Sequence, residues 1–96
     1  MFEEIIKDLR LNQGLTQVEL AKELYVTKQC ICNWENGNIL PSVEMLMKIA
    51  KFFSVSTDYL LGLDDRRYLE TTGLTDKQIT HIQMIIEDIL EEKGEE

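Results

Sequence analysis

Residues 16–37 read TQVELAKELYVTKQCICNWENG, and the fold turns on how this stretch is parsed. Two helix starts lie within it, one short helix apart. Thr16 followed by Glu19 is a capping box: the hydroxyl accepts from the third backbone N–H of the helix while the carboxylate reaches back to the N–H of the cap. Val18, Ala21 and Leu24 or Tyr25 then give an apolar face at helical spacing. Thr27 is a second cap. The helix it opens should run to about Asn36, with Gly37 as a left-handed stop. Two short helices across a turn of a few residues form a helix-turn-helix.

The second helix indicates what the pair is for. At about 100° per residue, Lys28, Gln29, Cys32, Asn33 and Asn36 fall in one sector about 140° wide, with Cys30, Ile31 and Trp34 opposite. A solvated face usually mixes Glu, Lys and Ala. This one offers amides and an ammonium, groups that match donors and acceptors on base edges. Two readings of the face stand together, a polar exterior and a surface that reads bases. Trp34 belongs to the core under either reading.

Working outward, LRLNQGLTQVELAKEL (9–24), VTKQCICNWENG (26–37) and LPSVEMLMKIAKFFSVSTDYLLG (40–62) together resemble the Cro/phage-repressor type of helix-turn-helix, the XRE family. The likeness spans about residues 2–63; the last third of the chain lies outside it. It implies an all-α fold: a five-helix, lambda-repressor-like domain over 1–63, then a linker over 64–74 and an amphipathic C-terminal helix over 75–96. It further implies base contacts from Lys28, Gln29 and Asn33, with Thr27 and Cys32 at the margin, and phosphate contacts from Gln17 and Asn36. Lys28 would reach guanine O6/N7 and Gln29 would pair with adenine N6/N7. Arg10 and Glu35 match a pair of positions that form a structural ion pair in the family. Reading Arg10 instead as a phosphate contact would leave Glu35 uncompensated near DNA. Two positions depart from the family pattern. Tyr25 stands where Gly is common and needs a positive φ costing on the order of 1 kcal/mol. Leu40 stands in a loop where basic residues often bind phosphate.

The remaining elements follow from periodicity. Phe2, Ile5, Ile6 and Leu9 form the core stripe of a first helix, Phe2 to Asn12, stopped near Gly14. Leu40-Pro41 favours an extended entry to a helix starting near Ser42 and running to about Phe53, with Val43, Leu46, Ile49, Ala50 and Phe53 inward. Ser56 caps a short helix over 57–61 that Gly62 ends, and Tyr59, Leu60 and Leu61 close the core. Residues 63–73 read as a linker, with room for a helical turn at Arg66 to Leu69. Thr75 and Gln78 form another capping box. Ile79, Ile82, Ile86 and Ile89 follow at spacings of three, four and three, an a/d seam of about two heptads flanked by Ile85 and Leu90. Such a seam either packs on its own domain or pairs with the same helix of a second subunit. Pairing is favoured, because the five preceding helices already supply a core. His81 should be solvated, and the terminal EEKGEE should fray.

Composition sets the outer bounds. The chain has 96 residues and a net charge of −8. Residues 1–63 carry six Lys/Arg and eight Asp/Glu, whereas residues 64–96 carry four and ten. The front of the chain therefore lacks the broad basic footprint of a tight non-specific binder. Specific binding would rest on local positive charge, helix N-termini and amide contacts to phosphate. No apolar run approaches the ~20 residues of a membrane span, and the first ten residues do not read as a signal peptide, so a cytoplasmic protein is expected. Cys30 and Cys32 lie about 200° apart on one helix and cannot bridge each other. Cys30 reads as a small core residue. Cys32, on the polar face, could also sense redox state, though nothing near it in sequence activates the thiol. With one histidine and no cysteine cluster, no metal and no cofactor are expected. No glycine-rich phosphate loop and no nucleophile with an evident base point to an enzyme. The leading reading is a transcriptional regulator binding double-stranded DNA at an inverted repeat as a homodimer; repression by blocking polymerase is its simplest mode of action, with activation left open by the sequence. The second reading is an antitoxin-like or adaptor module whose acidic, Ile-rich C-terminal helix binds a protein partner.

Overall fold

The computed structural model describes residues 1–94. Within them six helices and no strand occur: α1 Phe2–Asn12, α2 Gln17–Leu24, α3 Lys28–Glu35, α4 Val43–Phe53, α5 Thr57–Leu60 and α6 Asp76–Gly94. Glu95 and Glu96, the end of the segment expected to fray, lie outside the described residues.

Five of these helices open on a hydroxyl. Thr16, Thr27, Ser42, Ser56 and Thr75 each accept from the backbone N–H three residues on, at 3.0–3.2 Å. At Thr16 and Thr75 the exchange is reciprocal, with Glu19 and Gln78 returning a bond to the cap N–H at 3.0 Å. Each cap satisfies a donor that the helix cannot satisfy itself, an effect of about 1 kcal/mol. The Thr16 N–H also holds the Glu19 carboxyl below its usual pKa. The ionised cap is thus complete at neutral pH and weakens as pH falls through the carboxylate range. α1 has no side-chain cap; Glu3 and Glu4 occupy its first turn, where the helix dipole favours negative charge.

The buried core draws on residues 2–60. Phe2, Ile6 and Leu9 of α1 meet Leu20, Ala21 and Leu24 of α2, Ile31 and Trp34 of α3, Ile49, Ala50 and Phe53 of α4, and Leu60 of α5. α3 packs on both α1 and α2, and α5 packs on both α1 and α4. Four expectations are corrected. Leu61, expected to close the core with Tyr59 and Leu60, is 38% exposed. In α2 the inward residue of the first turn is Leu20, fully buried, while Val18 is 45% exposed. Period alone leaves the phase of an eight-residue helix undetermined, and packing against α3 and the core chooses the larger side chain, whose burial is worth about 1.5–3 kcal/mol. In α4, Val43 is 74% exposed, and Met45 and Leu46 are the first-turn residues that pack against the core. Around Arg66 to Leu69 no helix forms. Asp64 instead accepts from both the backbone N–H and the Nε of Arg66, a local turn that competes with helix.

Both tight helix ends outside glycine use left-handed residues. Tyr25, 87% exposed, has φ 57° at the end of α2, and Ser54 has φ 54° at the end of α4. In each the next residue donates back five positions, Val26 to Ala21 and Val55 to Ala50, closing the helix end. Tyr25 has a compensation that Ser54 lacks. Lys48 of α4 donates Nζ to the Leu24 carbonyl at 2.7 Å and sits 4.8 Å from the centre of the Tyr25 ring. One lysine thereby satisfies an orphan carbonyl of α2 and holds the ring that follows it.

None of the described residues of α6 joins the core cluster. Ile79 and Ile82 are half-buried beside Tyr68, Leu69 and Leu74, while Ile86, Ile89 and Leu90 are 44%, 49% and 63% exposed. The seam is covered at its start and open towards its end.

The left-handed positions give a paired prediction. Ser54→Gly removes a steric cost of about 1–2 kcal/mol and adds about 0.5–1 kcal/mol of backbone entropy cost, so it should stabilise by up to about 1 kcal/mol. Tyr25→Gly should gain less, because it also gives up the Lys48 contact, worth about 0.5–1 kcal/mol at an exposed site. Urea midpoints of the two variants would check the order.

Candidate nucleic-acid interface

The two faces of α3 are held apart by burial. Ile31 and Trp34 are 0% and 3% exposed, and Cys30 packs half-buried against the same core. On the other side, Thr27, Lys28, Gln29 and Asn36 are exposed, and Cys32 and Asn33 are half-buried. Gly37, at φ 75°, ends the helix, and Asn38 donates back to the Asn33 carbonyl. The outward face therefore carries one cation and several amides.

Glu35 is the one acid between Glu23 and Glu44, and it is withdrawn from this face. Its side chain is 3% exposed and takes a two-pronged bond from Arg10, Nε to Oε2 at 2.7 Å and Nη2 to Oε1 at 3.0 Å. Arg10 Nη1 donates to the Leu15 carbonyl at 2.8 Å, and Gln17 Nε2 donates to Glu35 Oε1 at 3.1 Å. The bond to Glu35 raises the Arg10 pKa above its ordinary value. Four chain segments meet here: α1, the loop that follows it, the first residue of α2, and the last residue of α3. A buried charge pair is tolerated only when its remaining donors and acceptors are met, and among the described residues no buried side-chain N or O lacks a partner. Gln17 retains a second amide hydrogen and its carbonyl for other contacts.

The outward side chains are themselves linked. Gln29 Nε2 donates to Asn33 Oδ1 at 3.0 Å, and Asn36 Nδ2 donates to Cys32 Sγ at 3.3 Å. Both links join residues one helical turn apart. Helical geometry alone places Gln29, Asn33, Cys32 and Asn36 on one face, where Asn33 can either read a base or hold a neighbouring side chain; the structure has it accept from Gln29. The Lys48 contact to the Leu24 carbonyl is not legible in the sequence, since no local pattern connects residues 24 positions apart. Among the described residues, no group of three or more His, Cys, Asp or Glu side chains is placed to hold a metal ion.

A family model described as helix-turn-helix, HTH_3, matches residues 6–60, more than half of the chain. The chain belongs to this family, the Cro/C1-type or XRE helix-turn-helix proteins. Two relatives bracket the XRE protein. It is 47% identical over 61 residues to the HTH-type transcriptional activator BcrR of Enterococcus faecalis, a match covering 64% of this chain and 30% of BcrR. It is 32% identical over 85 residues to the cryptic phage CTXphi transcriptional repressor RstR of Vibrio cholerae, covering 88% of this chain and 71% of RstR. The chain thus spans less than a third of BcrR. The fold is that of a transcriptional regulator from Listeria innocua, with TM-score 0.63 at 20% identity over 93% of this chain and 92% of that one. The HTH_3 match ends at residue 60, so α6 of this XRE protein lies beyond it.

The buried pair gives a sharp prediction. Arg10→Met should destabilise by about 3–5 kcal/mol, because Glu35 is left buried and uncompensated. Adding Glu35→Leu should recover most of that loss. Chemical denaturation of both variants would check it; equal instability of the single and double variants would mean that packing, not charge, dominates.

Proposed function

We propose that this XRE-family protein is a sequence-specific transcriptional regulator, a repressor, that binds an inverted-repeat operator on double-stranded DNA as a homodimer in the cytoplasm. It acts by binding and not by catalysis. The observation that carries the reading is the outward face of α3, which presents Lys28 and paired amides while its one carboxylate is buried against Arg10. Thr27, Lys28, Gln29, Cys32 and Asn33 read base edges in the major groove. Asn36 contacts phosphate, as does Gln17 with the hydrogen-bonding capacity that its bond to Glu35 leaves free. Residues 1–63 form the DNA-binding unit, 64–74 a linker, and 75–96 the dimerisation helix, of which 95–96 lie outside the described residues. Ile79, Ile82, Ile86 and Ile89 pair with the same seam of a second copy. Two copies set their recognition helices about 34 Å apart, one turn of the duplex. RstR, named a repressor, matches across 88% of this chain, whereas the match to the activator BcrR stops at 61 residues.

A second reading, an antitoxin-like or adaptor module, draws on the same open seam. Ile86, Ile89 and Leu90 are exposed among Glu87, Asp88, Glu91 and Glu92, a surface that a different protein with an apolar, basic groove would also fit.

Selection of bound duplexes from a random library separates the readings. Enrichment of an inverted repeat with half-sites about ten base pairs apart supports the regulator. No enrichment at low or moderate salt overturns it. Asn36→Ala should lower affinity for all sequences by a similar factor. Ile82→Asp with Ile86→Asp should give monomers by analytical ultracentrifugation while residues 1–63 stay folded. Global unfolding of that double variant would make α6 part of the folded core and end the pairing model.

A further inference from the structure

Gln29 and Asn33 lie on the exposed face of α3, joined by a hydrogen bond whose direction has a consequence for base readout. Each amide carries two N–H donors and a carbonyl with two lone pairs. Gln29 Nε2 donates to Asn33 Oδ1 at 3.0 Å, which turns the Asn33 carbonyl towards Gln29 and its NH2 group away. Gln29 keeps its carbonyl oxygen and one N–H side by side. Asn33 keeps two donors on its free side. The neighbouring link, Asn36 Nδ2 to Cys32 Sγ at 3.3 Å, runs along the same face, so neither Cys32 nor Asn36 competes for the Gln29 or Asn33 amide.

We infer that Gln29 and Asn33 act as one coupled reading unit, with Gln29 specifying adenine and Asn33, held as a donor by Gln29, specifying a neighbouring thymine or guanine against cytosine. This rests on the DNA-binding reading above. The chemistry is that of the major-groove edges. Adenine offers an N6 donor beside the N7 acceptor, the complement of the oxygen and N–H that Gln29 has left. Thymine O4 and guanine O6/N7 accept, whereas cytosine presents a donor. The two residues are one helical turn apart, about 6 Å along α3. With about 3.4 Å between successive bases of a strand, the two bases fall within two steps of each other. Inside the groove, where water is displaced, the amide pair cannot reorient without stranding a donor or an acceptor. The discrimination expected at each base is about 5- to 150-fold.

Two substitutions separate this unit from two independent contacts, each read by duplex selection on the full chain beside the unaltered protein. Asn33→Asp keeps an acceptor for the Gln29 N–H and replaces the free donors by acceptors. Adenine should remain and the neighbouring base should change from thymine or guanine to cytosine. Gln29→Glu, at an exposed position that leaves the core untouched, removes the donor. Asn33 is then released to turn its NH2 towards residue 29, and the preference at the neighbouring base should relax together with the change at the adenine. A neighbouring preference unchanged in Gln29→Glu, or loss of the adenine preference in Asn33→Asp, would overturn the coupling. If the unaltered protein enriches a site and only the coupling fails, the DNA-binding reading stands without it; if the unaltered protein enriches nothing, both fall.

Discussion

The outward presentation of α3 depends on one buried ion pair. Arg10 and Glu35 are 25 residues apart in sequence, and their two-pronged contact ties the end of α1 to the end of α3. The third guanidinium bond goes to the Leu15 carbonyl, which sets the loop before α2, and Gln17 completes the carboxylate from the first turn of α2. Two charges taken out of water are costly, and the cost is offset because every side-chain nitrogen and oxygen of the pair has a hydrogen-bond partner. The same pair shapes the electrostatics of the surface. Glu35 would otherwise place a carboxylate beside Asn36, where it would repel phosphate. Folded against Arg10, it leaves Lys28 as the sole charged side chain of α3 on the outward face.

A domain with so little positive charge cannot hold DNA by counterion release alone. Residues 1–63 have a net charge of −2 and the rest of the chain a net charge of −6. The loop after α3 offers Ile39 and Leu40, both exposed, in place of cations. Affinity would then come mainly from directed hydrogen bonds of a preorganised polar face. The internal links between Gln29 and Asn33 and between Asn36 and Cys32 fit that requirement, since side chains already held in one arrangement lose less freedom on binding. Weak non-specific attraction also makes such a binder depend more on the correct sequence than a basic protein would.

α6 poses a different physical problem. It begins on a full capping box and carries four isoleucines at heptad spacing, yet none of its described residues enters the core. Tyr68, Leu69 and Leu74 of the linker line one cavity with Ile79, Ile82 and Ile86; Ile79 and Ile82 are half-buried, while Ile86 and Ile89 stay exposed. An amphipathic helix draws most of its stability from packing of its apolar face, and this one keeps Ile86, Ile89 and Leu90 exposed. In the pairing proposed above, a second copy of the seam would match its apolar part, with exposed Glu87, Asp88, Glu91 and Glu92 flanking it.

The sequence by itself determined the helices and most of their ends. Hydroxyls at Thr16, Thr27, Ser42, Ser56 and Thr75 are short-range signals, and a cap needs nothing beyond the next three residues. The polar sector of α3 was equally legible, because helical geometry alone groups Lys28, Gln29, Cys32, Asn33 and Asn36. The family likeness named Arg10 and Glu35 as partners. Tertiary structure decided the rest. It chose Leu20 over Val18 for the core, since the phase of a two-turn helix depends on what it packs against. It recruited Lys48 to end α2 and support the left-handed Tyr25, a contact spanning 23 residues that no local pattern encodes. It brought Gln17 onto Glu35, and it oriented the amides of Gln29 and Asn33. Short-range hydrogen bonds are written in adjacent residues; packing phase and side-chain direction are set by neighbours that only the folded chain brings together.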